Sequence, residues 1–156
     1  MTDPSILEAI DSIWQPWFRD RDSWSPWMTF LRGVFDLPMD AADKELFERH
    51  TGRTVGLSGG FREVWVRVGR RSGKSLIAAT IAVFLACFRD WSDWIVPGES
   101  AVILVLASDR RQAKVIFKYC KAMLQHVPEL RRMITRETEE ILELSNGISL
   151  EIATNS

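Results

Sequence analysis

The run Val68-Gly69-Arg70-Arg71-Ser72-Gly73-Lys74-Ser75 gathers the residue types that hold a nucleotide's phosphates. Several negative charges in a small volume call for inward-curled backbone N–H groups, glycine for close approach, and a helix amino terminus aimed at the anion. They also call for a lysine that reaches the outer phosphates and a hydroxyl that holds a magnesium ion. Gly69 and Gly73 supply the backbone, Lys74 the charge and Ser75 the hydroxyl. The expected ligands are ATP and Mg2+. Val68, Gly69, Arg70, Arg71, Ser72, Gly73, Lys74 and Ser75 form the expected nucleotide site, and Lys74 and Arg70 its expected catalytic pair. One departure stands out: the general pattern GxxxxGK[ST] wants its first glycine where this chain has Val68. Arg70 and Arg71 have two readings, as groups that stabilise charge on the transferred phosphoryl or as surface charge paired to an acid.

A phosphate loop needs a strand before it and a buried helix after it. Val64-Trp65-Val66-Arg67-Val68 alternates like a strand. Residues 76–88 are apolar nearly all round, as a buried helix is. Residues 101–107 form a continuous apolar run of strand length, expected to be buried on both faces. Ser108 is placed to cap the next helix, with Ala113, Ile116, Phe117, Cys120 and Leu124 on its inner face. Strands alternating with helices predict an α/β fold, a P-loop NTPase with a mostly parallel sheet. Near the end, Ser145-Asn146-Gly147 separates two strand-like runs. A three-residue hairpin loop pairs Leu142 with Leu150 and Leu144 with Ile148, puts Gly147 in the left-handed conformation and leaves one clean apolar face; a two-residue turn mixes the faces.

The first fifty residues read as short tryptophan-rich helices. Asp3-Pro4 is a start signal, followed by Ile6, Leu7, Ile10, Ile13 and Trp14 on one face. Ser25-Pro26 repeats the signal before Trp27, Phe30, Leu31, Val34 and Phe35. Asp40 is placed to cap a third helix that stops at Gly52. The tryptophans fall at helical spacing, which favours core over ligand stacking. Thr51-Gly52-Arg53 and Ser58-Gly59-Gly60 are loop material, so the expected division is a helical segment, 1–52, and a partial P-loop ATPase domain, 53–156.

Composition narrows the classes. Of 156 residues, 46% are hydrophobic and 26% charged, which is globular, and the net charge of −1 gives no global basic field. Any contact with nucleic acid is expected to come from local patches or from parts of the protein beyond this sequence. Cys87 and Cys120 form no disulfide framework or metal cluster and read as buried thiols. Met1-Thr2-Asp3-Pro4 lacks a signal peptide's basic start, and 76–88 is shorter than the roughly 20 residues that cross a membrane. A soluble protein of the cytoplasm with no membrane partner is expected. His50 and His126 stand alone, with no metal or base role. Arg111, Lys114, Lys118 and Lys121 share one helix face, either solvated or tracking phosphates.

From about Trp27 to Ser156 the chain resembles the amino-terminal ATPase region of tailed-bacteriophage terminase large subunits, the motors that pump DNA into capsids. Phe30-Leu31-Arg32-Gly33-Val34-Phe35, a short acidic helix and Thr51-Gly52-Arg53 are similar to the segment before the ATPase sheet. Phe61-Arg62-Glu63-Val64-Trp65-Val66-Arg67-Val68 running into the phosphate loop is the strongest match. That family tolerates a loop without the first glycine and places arginine just after it. Leu106-Ala107-Ser108-Asp109, then Arg110-Arg111-Gln112-Ala113, resembles its next strand and helix. The resemblance implies a viral DNA-packaging ATPase whose partners are double-stranded DNA, a small terminase subunit and a portal, working as a homo-oligomeric ring in host cytoplasm. It also implies a second acidic motif, a strand ending in Asp-Glu, and a nuclease domain, both beyond Ser156. Asp109 has no neighbouring glutamate and suits a helix start, while Glu139, Glu140 and Glu143 read as solvated hairpin faces. Residues 1–156 alone are therefore expected to bind nucleotide weakly and not to hydrolyse it. The alternatives are another P-loop NTPase, such as a helicase-like ATPase or small-molecule kinase, or a non-catalytic prophage remnant.

Overall fold

A computed structural model describes residues 4–54 and 58–154. They divide into two units that meet in sequence at the Arg70–Arg71 bond.

In the first unit α1 (Ile6–Ser12) begins at Ser5 rather than at Asp3-Pro4. The Ser5 hydroxyl accepts from the Glu8 N–H at 3.3 Å, and the Glu8 carboxylate accepts from the Ser5 N–H at 2.6 Å. This reciprocal capping box satisfies two helix-end donors at once, which a proline cannot do; Asp3 lies outside the described residues. Ile6, Ile10, Trp14 and Phe18 are fully buried. Trp17, Trp24 and Trp27 are only half-buried, so Trp14 alone of these is fully core. Trp24 meets the Phe18 ring edge-on at 4.9 Å between centroids.

The second helix, α2 (Arg21–Val34), starts before Ser25-Pro26 and carries Pro26 inside it. Proline gives up one hydrogen bond near the amino end, and the apolar face formed by Met28 and Leu31 holds the helix across that gap. α3 (Ala41–Thr51) follows expectation: the Asp40 carboxylate accepts from the Asp43 N–H at 2.8 Å, and Gly52 closes the helix at φ 68°. Arg32 Nε meets Asp43 Oδ2 at 2.8 Å, joining α2 to α3. Beyond α3 the chain is pinned back onto the end of α2. Phe61 N–H donates to the Val34 carbonyl at 3.1 Å and Gly59 N–H to Asp36 Oδ2 at 2.8 Å. Gly60 is required there, with φ 82° and an added Cβ only 2.4 Å from the Val34 oxygen.

Residues 64–68 follow this anchor and belong to no strand. Val64 and Val66 are exposed, and Trp65 is 90% exposed. The expected first strand is thus corrected: alternating valines suit a strand, but a strand exists only with a partner, and none is paired here among the described residues.

The second unit holds α4 (Lys74–Phe88), β1 (Ala101–Ala107), α5 (Arg110–His126), α6 (Pro128–Met133), β2 (Ile134–Glu137), β3 (Ile141–Leu144) and β4 (Ile148–Thr154). The sheet order is β1-β4-β3-β2. β1 runs parallel to β4, with Ala101 opposite Ile148 and Ala107 opposite Thr154, and the other two pairs are antiparallel. The fold is α/β, as expected, but the sheet is mixed rather than mostly parallel. β2, β3 and β4 follow one another through short turns, which join only antiparallel neighbours. The hairpin has the expected register: Leu142 faces Leu150, Gly147 has φ 81°, and its N–H donates to the Leu144 carbonyl at 3.1 Å.

α4 and α5 pack on each other and on the sheet face that carries Leu142, Leu144, Ile148, Leu150 and Ile152. Small residues bring the two helices close, and the Cys120 thiol lies 3.9 Å from the Ala79 carbonyl. Asn146 at the hairpin tip donates to the Ala86 carbonyl at 2.8 Å, and Trp91 Nε1 donates to Leu85 at 2.8 Å, satisfying carbonyls that the end of α4 leaves open. The expectation for β1 is half met. Its inner face is covered, but Val102, Leu104 and Leu106 are 52%, 51% and 65% exposed, because both packed helices lie on one side.

Candidate nucleotide-binding site

The eight candidate residues are consecutive and fall on both sides of the unit boundary. Val68, Gly69 and Arg70 end the first unit; Arg71, Ser72, Gly73, Lys74 and Ser75 begin the second. Val68 is half-buried, while Gly69 and Arg70 are exposed. A Cβ built on Gly69 would meet nothing within 4 Å, so no protein neighbour demands glycine there.

The conformational demand lies further on. Arg71 has φ 59° and Gly73 φ 83°, both left-handed, on either side of Ser72. Left-handed residues alternating with ordinary ones turn successive N–H groups toward one concave side, the arrangement called a nest, which attracts anions. Gly73 is also the residue before the first turn of α4. Its carbonyl accepts from Leu76 at 3.0 Å and Ile77 at 3.1 Å, whereas the N–H groups of Lys74 and Ser75 precede the point where helix bonding begins. No side chain caps this end. The helix dipole adds partial positive charge, and the Lys74 side chain is exposed beside it. Ser75, in the second helical position, is half-buried.

This end is held by a rigid support. Leu76, Ile77, Ala79 and Thr80 are buried in the first two turns, and the Thr80 hydroxyl donates to the Leu76 carbonyl at 2.9 Å. A hydroxyl bonded back to its own helix does not leave an unpaired polar group in the core.

Other candidate groups are otherwise engaged. Asp109, not Ser108, caps α5, accepting from Arg111 N–H at 2.7 Å and Gln112 N–H at 3.2 Å. Its carboxylate takes the two donors that a serine one residue earlier would reach less directly. Glu139 pairs with Lys114 at 2.9 Å, Glu140 with Arg110, and Glu143 with Arg136 at 2.8 Å. The hydrogen bond from Lys114, and then its charge and that of Arg110, hold the Glu139 carboxyl below its ordinary value. Glu139 and Glu140 lie between β2 and β3 and Glu143 within β3, so only the last is in the hairpin proper. Burial pushes both Cys87 and Cys120 up to about 12, which keeps them neutral thiols rather than nucleophiles. Met123 joins the inner face of α5 in place of the half-buried Ile116. No group of three His, Cys, Asp or Glu residues among the described residues is arranged to hold a metal ion. No described helix is long and apolar enough to cross a membrane.

The left-handed Arg71 has no signal in the sequence, since arginine has no preference for that conformation. The ion pairs of α5 could have been anticipated from its excess of cations and the glutamates at 137, 139 and 140.

Comparison with known proteins agrees with the motif. The family model of the terminase large subunit ATPase domain matches residues 52–155. No curated protein matches the chain. The match covers two thirds of the sequence and takes in the whole loop, α4, the sheet and α5, so the chain belongs to the terminase large subunit ATPase-domain family and is the ATPase portion of such a subunit.

Proposed function

We propose that residues 68–75 are the phosphate loop through which this ATPase portion binds ATP with Mg2+ and drives DNA packaging. The observation that carries this reading is local: left-handed Arg71 and Gly73 lead directly into α4, with Lys74 and Ser75 in its first turn. In that arrangement the N–H groups around Ser72 to Ser75 surround the phosphates, the Lys74 ammonium meets the β- and γ-oxygens, and the Ser75 hydroxyl holds the metal. Arg70 stabilises charge that builds on the transferred phosphoryl group. The energy of hydrolysis moves double-stranded DNA, with a portal and a small terminase subunit as partners and several copies of the large subunit in a ring. Acids that hold the metal and orient water belong to other parts of the active site, since Asp109 is occupied as a helix cap.

The test is binding of a fluorescent ATP analogue with and without Mg2+. Lys74→Ala abolishes binding, whereas Ser75→Ala loses mainly the increment that Mg2+ adds. Undiminished binding by Lys74→Ala overturns the proposal.

A further inference from the structure

α5 is unusual in its charge. Over 17 residues it carries Arg110, Arg111, Lys114, Lys118 and Lys121 and no acidic residue. Its opposite face, with Ala113, Phe117, Cys120 and Leu124, is buried, so all five cations look outward. In a chain of net charge −1 this is a local concentration of positive charge, not a share of a general excess.

The five cations divide into two groups. Arg110, Lys114 and Lys121 are met by carboxylates from one short acidic stretch, residues 137–140. Arg110 Nε donates to Glu140 at 2.8 Å, Lys114 to Glu139 at 2.9 Å, and Lys121 pairs with Glu137. The other two are left over. Arg111 is 98% exposed, with only a 4.0 Å approach to Asp109, and Lys118 is exposed with no ion pair among the described residues. Arg131 and Arg132 of α6 are also exposed without an ion pair among them, and with Gln125 and Pro128 they line an open cleft of about 420 Å³. Glu129 is the one acid on α6.

Spacing gives this charge a direction. Arg111 and Lys118 lie seven residues apart and so fall along one line of the helix, roughly 10 Å from one to the other, with the neutral but polar Gln125 one further step along it. Duplex DNA carries one negative charge per roughly 1.7 Å of its axis, so the span between these two cations matches about six phosphates. The glutamates of 137–140 already occupy the adjoining row of cations as carboxylates occupy phosphate positions. Exposed ion pairs of this kind contribute little to stability and exchange readily.

We propose that the outer face of α5, extended by Arg131 and Arg132, binds the phosphate backbone of double-stranded DNA, and that residues 137–140 compete with DNA for the same cations. The acidic stretch keeps affinity low in the free protein and is displaced as DNA docks. The partner is the one given under the function proposed above, but the surface is separate from the phosphate loop. The test runs without nucleotide, so that the two readings fail separately.

The test is fluorescence anisotropy of a labelled DNA duplex across a salt series. Glu137→Gln/Glu139→Gln/Glu140→Gln binds on the order of ten-fold tighter than wild type, and its salt dependence steepens by up to about 2.7 in log–log slope, since each added phosphate contact contributes roughly 0.9. Arg111→Gln/Lys118→Gln removes two exposed cations that hold nothing in the fold, and it flattens the slope by about 1.8 while weakening binding. Circular dichroism of both variants matches wild type. An acid-neutralised variant that binds no tighter overturns the competition. Unchanged affinity and slope in Arg111→Gln/Lys118→Gln overturn the surface. Anionic phosphatidylserine vesicles that outcompete the duplex overturn the choice of partner.

Discussion

Gly69 and Gly73 look interchangeable in the sequence, but the structure assigns them different demands, and alanine at each separates them. Gly73 sits at φ 83°, where an L-residue costs about 1–2 kcal/mol. Gly69 has no left-handed φ, and a Cβ there meets open space. Both substitutions reduce the freedom of the unfolded chain by the same amount, worth about 0.4–1 kcal/mol in favour of the folded state. That common gain cancels in the comparison, so the two variants differ by at least the left-handed strain at Gly73, about 1–2 kcal/mol. For a chain of this size the gap corresponds to about 2–8 °C in Tm, with Gly69→Ala at or slightly above wild type and Gly73→Ala below it. Thermal and urea unfolding followed by tryptophan fluorescence measure it. Binding behaves differently: a phosphate that approaches the backbone at Gly69 meets the new methyl group, so Gly69→Ala loses ATP-analogue affinity while keeping its stability. Equal stabilities for the two variants, or a Gly69→Ala protein less stable than Gly73→Ala, refute the account of the loop.

Three further outcomes follow from the site and the core. In the complete motor, Arg70→Ala depresses kcat by on the order of 10^3 with little change in nucleotide affinity, as removal of a charge-stabilising arginine does, and Arg71→Ala has the smaller effect; parallel losses in both constants leave Arg70 a surface residue. Cys87 and Cys120, ordinarily near 9.0 and pushed up to about 12 by burial, stay protonated in the folded protein. A disulfide reagent at mildly alkaline pH therefore labels Cys120, the buried one, only once the chain unfolds and half-buried Cys87 slowly, and prompt labelling of Cys120 contradicts its burial. The sign for stability follows from proton uptake: between these values the folded state holds more protons than the unfolded one, so stability is whole below 9.0 and falls as pH rises toward 12, read as the urea midpoint against pH.

Some elements were legible because a single rule decided them. The hairpin register follows from side-chain alternation: only one pairing puts Leu142 and Leu150 on the same face, and Gly147 accepts the left-handed turn. Asp40 and Gly52 bound α3 because each satisfies backbone groups that the helix leaves open. Other elements depend on what lies opposite them. Valine at 64, 66 and 68 favours a strand but supplies no neighbour, and the apolar run of β1 says both faces can be buried, not that both are covered. Ser25-Pro26 misleads for a related reason. A proline marks a helix start only if nothing upstream extends the helix, and five residues from Arg21 do so with no capping side chain at Asp20. β2 and α6 carry four and six residues, too few for periodicity to show.

The missing glycine at position 68 finds a physical place in this geometry. A phosphate loop requires glycine wherever its backbone turns left-handed or wherever a side chain would block the anion. Among the described residues, left-handed conformations near the loop fall at 71 and 73, and Val68 is not one of them. Val68 is half-buried and its side chain counts toward packing, so a β-branched residue there meets no conformational penalty. Gly69, next to it, has no left-handed φ and no protein atom near its missing Cβ. The proposed phosphate loop gives the missing side chain of Gly69 a use, clear approach for the ligand. Under the phosphate-loop reading proposed above, the first glycine of the general pattern has moved one residue along, while the strained turn falls on Arg71. An arginine held left-handed before a helix amino terminus costs about 1–2 kcal/mol that packing must offset. A loop that only connected two elements could place glycine or asparagine there at no such cost. The strain at Arg71 is accounted for under the proposed function, in which the backbone there is shaped to an anion at Ser72, Gly73, Lys74 and Ser75.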